Sequence, residues 1–223
     1  MEDQDNKDIE NPKESLESGL IRSIAKNELK DIGTELGEVA IDSFLDEGIL
    51  KEIPVIGIAA KVYSAGATIS GKLFERKVLK FLYELNRISL QNRDDFVAKI
   101  QNDPKHEKKV GEHLIILLER LDDMEKPKII AKIFAEYIED KIDFEMFLRL
   151  SSAVDRTLVS DLNRLKEFKT MQNYSYSAIS LENVGLVYLA VISGGNYDEE
   201  GNQTGGNQYA TSELGNTLLS IIQ

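Results

Sequence analysis

No cysteine occurs in the chain. That excludes disulfides, thiolate nucleophiles and zinc–sulfur sites together. Tryptophan is also missing, and only four prolines interrupt 223 residues, which leaves room for long helices. Positive charge is in short supply: 27 Lys and Arg stand against 39 Asp and Glu, a net charge of −12 with an isoelectric point near 4.8. Such a balance repels polyanions unless a local basic face exists, so nucleic acid is not the expected partner. The opening MEDQDNKDIENPKES lacks the apolar core of a signal peptide, and a cytoplasmic location is the expectation.

What is present is ordinary for a folded protein. Hydrophobic residues make up 42% and charged residues 30%, enough for one large core or two small ones. Residues 1–16 read as a disordered acidic tail, because nothing there offsets the entropy of ordering. From Leu16 to about Gly33, Leu20, Ile21, Ile24, Ala25 and Leu29 recur at helical spacing. A second helix is expected over about Thr34 to Leu50, before Pro54 pushes Ile53 out of the helical region. ERKVLKFLYELNRIS continues as an amphipathic helix, and SLQNRDDFVAKI has a capping-type start with acids in its first turn. HEKKVGEHLIILLERLDDM and KPKIIAKIFAEYIEDK are helices too, the latter with Pro127 in its first turn, where a missing N–H costs nothing. Phe144, Phe147, Leu150, Val154, Leu158, Leu162 and Leu165 then predict one long helix running to Phe168.

Three readings compete for Ile53–Phe74, IPVIGIAAKVYSAGATISGKLF. GATISGKL is one residue short of a phosphate-binding loop: Gly66, Gly71 and Lys72 fit, but Leu73 stands where a magnesium-holding hydroxyl is required. The preceding residues also have helical rather than strand periodicity, so the nucleotide reading is rejected. As a membrane span the segment is long enough, but Lys61 lies within it and costs on the order of 3 kcal/mol on insertion scales. The third reading is a buried helix. Val55, Ile58, Val62, Ala65, Ile69 and Leu73 form an apolar stripe, while Gly57, Ala60, Ser64, Ala67 and Gly71 form a second stripe of small residues. A small-residue stripe lets another helix approach closely, so these five positions are the candidate packing or interaction surface.

No residue set points to catalysis, a cofactor or a metal. His106 and His113 are seven apart on a helix, about 10 Å along its axis, too far for one ion. Asn196, Asp198, Glu200 and Gly201 occupy the first, third, fifth and sixth places of a calcium loop, but Asn207 replaces the closing Glu and strands flank it. The remaining acids are scattered among lysines and arginines as on solvated helix faces. The expectation is a protein that is not an enzyme.

After Phe168 the character changes. VGLVYLAVISGG (Val184–Gly195) is β-rich, NYDEEGNQTGG is turn-rich, NQYATS is a second strand and ELGNTLLSIIQ closes as a helix. LENVGLVYL with NQYATSELGNTLLSII resembles the end of bacterial winged-helix domains, carried by Leu181, Gly185, Leu186, Tyr209 and Gly215; the match is imperfect at the Thr of that pattern, with Ser212 beside it and Thr211 one place early. The resemblance spans about 50 residues and implies a fold rather than a function. Its DNA-reading segment would be Thr170–Asn183, which has no Lys or Arg, and the wing carries Asp198, Glu199 and Glu200. The middle of the chain, from IPVIGIAAKVY to RLKEF, resembles a group of uncharacterised bacterial and prophage-associated helical proteins, which implies a setting in phage–host conflict but no activity.

The expected fold class is mainly α: a helical domain over 17–168, then a small winged-helix-like α+β unit over 170–223. The expected function is protein–protein contact, with a protein partner or a second copy. The alternatives are a membrane-perturbing effector that uses residues 53–74 and a winged-helix DNA-binding regulator.

Overall fold

The computed structural model describes residues 15–26, 52–63, 69–192, 196–197, 203–204 and 206–222. The chain is mainly helical with a small antiparallel sheet near its C-terminus. It divides into two compact units, Met1–Glu119 and Arg120–Gln223. The sequence-based boundary near residue 170 falls inside the second unit.

The first unit contains α1 (Leu16–Ile24), α2 (Pro54–Tyr63), α3 (Ile69–Leu85), α4 (Leu90–Gln101) and most of α5 (Pro104–Arg120). Ser15 caps α1 by accepting from the Ser18 amide at 3.3 Å, and Leu20, Ile21 and Ile24 are fully buried. α1 lies close against α2 because Gly19 has no side chain: a Cβ there would sit 2.7 Å from Ile58 Cδ1 and 3.3 Å from the Val55 Cα. Ser89 caps α4 through the Asn92 amide at 3.1 Å. The expected acids are absent from that first turn, since Asp94 and Asp95 fall one turn later. α4 buries Phe96, Val97, Ile100 and the guanidinium of Arg93. Asp103 accepts from the Lys105 and His106 amides at 3.1 and 3.2 Å, which starts α5. α5 turns Val110, Leu114, Leu117 and Leu118 inward. The expected helix over 34–50 lies outside the described residues.

The second unit begins with the hairpin of α6 (Lys126–Ile138) and α7 (Phe144–Asp155). Its core is aromatic. Phe134 meets Phe147 edge-on with ring centres 5.3 Å apart, and Tyr137 stacks on Phe147 at 5.8 Å, geometries that add to simple area burial. Asp140 turns the chain out of α6 at φ 55, a left-handed conformation that Asp tolerates. Asp143 then caps α7 by accepting from the Met146 amide at 2.7 Å.

The long helix expected to reach Phe168 is broken. α7 ends at Asp155, Leu158 is extended at φ −64, ψ 141, and α8 (Val159–Arg164) runs into a 3₁₀ turn, Leu165–Lys169. Thr157 Oγ1 donates back to the Ala153 carbonyl at 2.7 Å, a local bond that competes with helix continuation. Lys126 Nζ donates to the Asp155 carbonyl at 2.9 Å and closes the helix end. Leu158, apolar and in phase with the helical pattern, is exposed as a result.

Beyond the 3₁₀ turn come β1 (Gln172–Asn173), α9 (Tyr176–Asn183), β2 (Val187–Val191), β3 (Asn196–Tyr197), β4 (Gln203–Thr204), β5 (Gln208–Thr211) and α10 (Glu213–Ile222). β5 is the central strand of the order β1–β5–β2, and β3 pairs only with β4. Gln172 opposes Tyr209 on one side of β5, while Tyr188 opposes Ala210 and Leu189 opposes Tyr209 on the other. A bulge between Leu189 and Val191 disturbs the register of β2.

Four helix C-termini among the described residues are closed by cations from other helices. Arg93 Nη1 donates to the Ile24 and Lys26 carbonyls, each at 3.1 Å, at the end of α1. Lys77 reaches the Glu119 carbonyl at 2.8 Å in the last turn of α5, and Lys132 the Ile222 carbonyl at 3.3 Å in α10. With Lys126 at α7, each places positive charge on orphan carbonyls at the negative end of a helix dipole.

Candidate functional site

The small-residue positions are divided between two helices. Gly57 and Ala60 lie half-buried on α2, Gly71 is buried in the first turn of α3, and Ser64 and Ala67 lie outside the described residues. The accompanying apolar stripe does not stay inside. Val55 is fully buried, but Val62 is 57% exposed and Leu73 is 37% exposed. Val55, Ile56 and Ala59 of α2 are buried and half-buried Ile58 faces Gly19 of α1, so the inward side keeps Val55 and Ile58 of the stripe and adds Ile56 and Ala59.

Gly71, Lys72 and Leu73 lie inside α3, and the element before them is the helix α2. Gly66, the first glycine of that motif, lies outside the described residues; among the described residues helix, not strand, precedes α3, unlike a phosphate-binding loop. Among the described residues no group of three or more His, Asp or Glu side chains could hold a metal ion. Asp198, Glu200 and Gly201 of the calcium-like loop lie outside the described residues.

One hydroxyl–carboxylate contact invites a catalytic reading. Ser177 Oγ donates to Asp161 Oδ1 at 2.7 Å and accepts from Arg164 Nη1 at 3.1 Å. Both capacities of the hydroxyl are thereby used on α8, and Ser177 is buried. The trio ties α9 to α8. Arg120 similarly pairs with Asp155, while Lys126 is 1% exposed and satisfied by Asp122 at 2.5 Å and the Asp155 carbonyl.

The residues that carry the winged-helix resemblance converge. Gly185 adopts φ +78 just after α9, so the Gly185 amide bonds the Glu182 carbonyl and the Leu186 amide bonds the Leu181 carbonyl, both at 2.9 Å. That is a left-handed helix stop. Ser212 then clasps the stop to α10. Its amide donates to the Leu186 carbonyl at 3.0 Å, its hydroxyl donates to the Gly185 carbonyl at 2.5 Å, and the same oxygen accepts from the Gly215 amide at 3.0 Å. A Cβ on Gly215 would collide with the Leu186 carbonyl. Leu181, Leu186 and Tyr209 are buried beneath this clasp.

Several large side chains are exposed outside the clasp. Between residues 171 and 192, Met171, Tyr174, Tyr176, Tyr188 and Ile192 are all more than half exposed, Tyr176 at 88%. Tyr188 projects from the sheet while its neighbour Val187 and the facing-side Tyr209 are buried, as strand alternation requires. From Thr170 to Gln223 the sequence has no Lys or Arg but has Glu182, Asp198, Glu199, Glu200 and Glu213. An open cleft of about 360 Å³ lies on α7 between Glu145, Arg149, Ser152, Arg156, Val184 and Leu214. Arg149 there is already paired with Glu145 at 2.6 Å.

Sequence reasoning missed these exposed tyrosines because their spacing follows no helix face. The signal available was the run QNYSY itself, with tyrosines two apart across the start of α9. Comparison of the chain with protein-family models, with curated proteins and with solved structures found no match.

Proposed function

We propose that the chain acts by binding another protein, through a winged-helix-like unit over residues 170–223. The strand order β1–β5–β2, with α9 leading into β2 and α10 following β5, supports the winged-helix reading. The observation that carries the protein-contact reading is the exposed set Met171, Tyr174, Tyr176, Tyr188 and Ile192 in a region free of Lys and Arg. Tyrosine combines a large apolar body with a polar tip and is enriched where proteins meet. Phosphate binding calls for the cations that this region lacks. The resemblance of the helical region supports a setting in phage–host conflict.

The membrane reading draws less support. Among the described residues no helix is long and apolar enough to cross a bilayer. α2 has ten residues, a rise of about 15 Å against a hydrocarbon core of about 30 Å.

A photo-reactive amino acid placed at Tyr188 or at Tyr176, in cells making the protein, tests the proposal. The expected result is one adduct of defined mass at both positions and none at Lys99, an exposed position on α4. An adduct with the chain itself would identify the partner as a second copy. Absence of adducts at Tyr188 and Tyr176, or equal labelling at Lys99, would overturn the reading.

A further inference from the structure

No further inference is drawn: the strongest candidate, the cavity of about 840 Å³ between α1, the end of α4 and the start of α5, is bordered by Glu17 and Glu107, but among the described residues no buried side chain without a partner is aimed into it, so nothing in the structure shows what would fill it.

Discussion

Ser23 of α1 accepts a hydrogen bond at 3.1 Å from the main-chain N–H of Val55, in the first turn of α2. Its own hydroxyl proton goes to the Gly19 carbonyl at 2.8 Å. One buried side chain therefore closes a turn of its own helix and satisfies an orphan amide of the next. Replacing it with Ala leaves that amide buried and unpaired. Ser23→Ala should cost about 1–2 kcal/mol in urea unfolding, against less than about 0.5 kcal/mol for Lys99→Ala. Equal midpoints for the two variants would show that α2 does not depend on this cap.

Arg93 acts at the opposite end of α1. Its Nη1 serves the Ile24 and Lys26 carbonyls, yet Nε and Nη2 are buried with no hydrogen-bond partner among the described residues. Burial pushes its pKa below the ordinary arginine value, with Asp94 acting in the opposite direction. The side chain is thus a helix cap held at a desolvation cost. Arg93→Ala should destabilise by about 2–5 kcal/mol, because it removes the cap and opens a cavity. Arg93→Met should recover much of that loss by filling the space without a charge. If Met is as damaging as Ala in urea unfolding, the two carbonyl bonds outweigh packing.

These two caps also show where sequence reading ends. Local signals were legible: the capping residue of α4 lies next to the helix it starts, and Pro127 sits where its missing N–H is harmless. Apolar spacing placed the helices between Ser89 and Ile138 and the final α10 for the same reason. Arg93 and Ser23 gave no such signal, because their carbonyl and amide partners are distant in sequence. The inward side of α2 was only partly legible, with Ile56 and Ala59 missed and Val62 misplaced, because apolar residues occupy most of that helix and periodicity cannot choose among near-equal faces. The break after Asp155 was hidden because Leu158 keeps the helical phase.

Tyr137 provides a pH-dependent test of the α6–α7 core. Burial, assisted by the nearby Asp140 charge, pushes its hydroxyl up to about 12 from 10.0. The unfolded chain therefore loses this proton first as pH rises. The stabilising effect is complete below about pH 10 and disappears as the pH passes through about 12, and every tenfold difference in proton affinity between the folded and unfolded chains corresponds to about 1.4 kcal/mol. Thermal unfolding should show a steeper alkaline loss for the natural protein than for Tyr137→Phe. Parallel pH profiles would mean that the ring is solvated.

Gly215 and Gly185 should respond differently to Ala. At Gly215 a Cβ meets the Leu186 carbonyl, which is rigid backbone, whereas at Gly185 the nearest heavy atom is Leu214 Cδ2 at 3.9 Å and the obstacle is φ +78. Gly215→Ala should separate α10 from the clasp and cost several kcal/mol, on the order of 3 or more. Gly185→Ala should cost about 1–2 kcal/mol, and Gly185→Asn less, since Asn enters the left-handed region more readily. Calorimetry of the three variants gives the order. A tolerated Gly215→Ala would refute the close approach of α10 to Leu186.

The charge distribution of the C-terminal region leads to a prediction about DNA. Non-specific affinity comes mainly from counterions released when Lys and Arg neutralise phosphates, with a salt slope of about −0.9 per phosphate contacted. α9 would have to supply those contacts if the unit read DNA, yet no cation occurs from Thr170 onward, and Asp198, Glu199 and Glu200 lie between β3 and β4. Arg164, just upstream, is already engaged with Glu167 at 3.1 Å and with Ser177. The protein should therefore not retard a random duplex in a gel at moderate salt. Replacing Asp198, Glu199 and Glu200 by Asn or Gln should not create binding, because it removes repulsion without adding a phosphate contact. A shift that weakens steeply with salt would place basic residues from elsewhere in the chain on the DNA, and it would move the regulator reading ahead of protein contact.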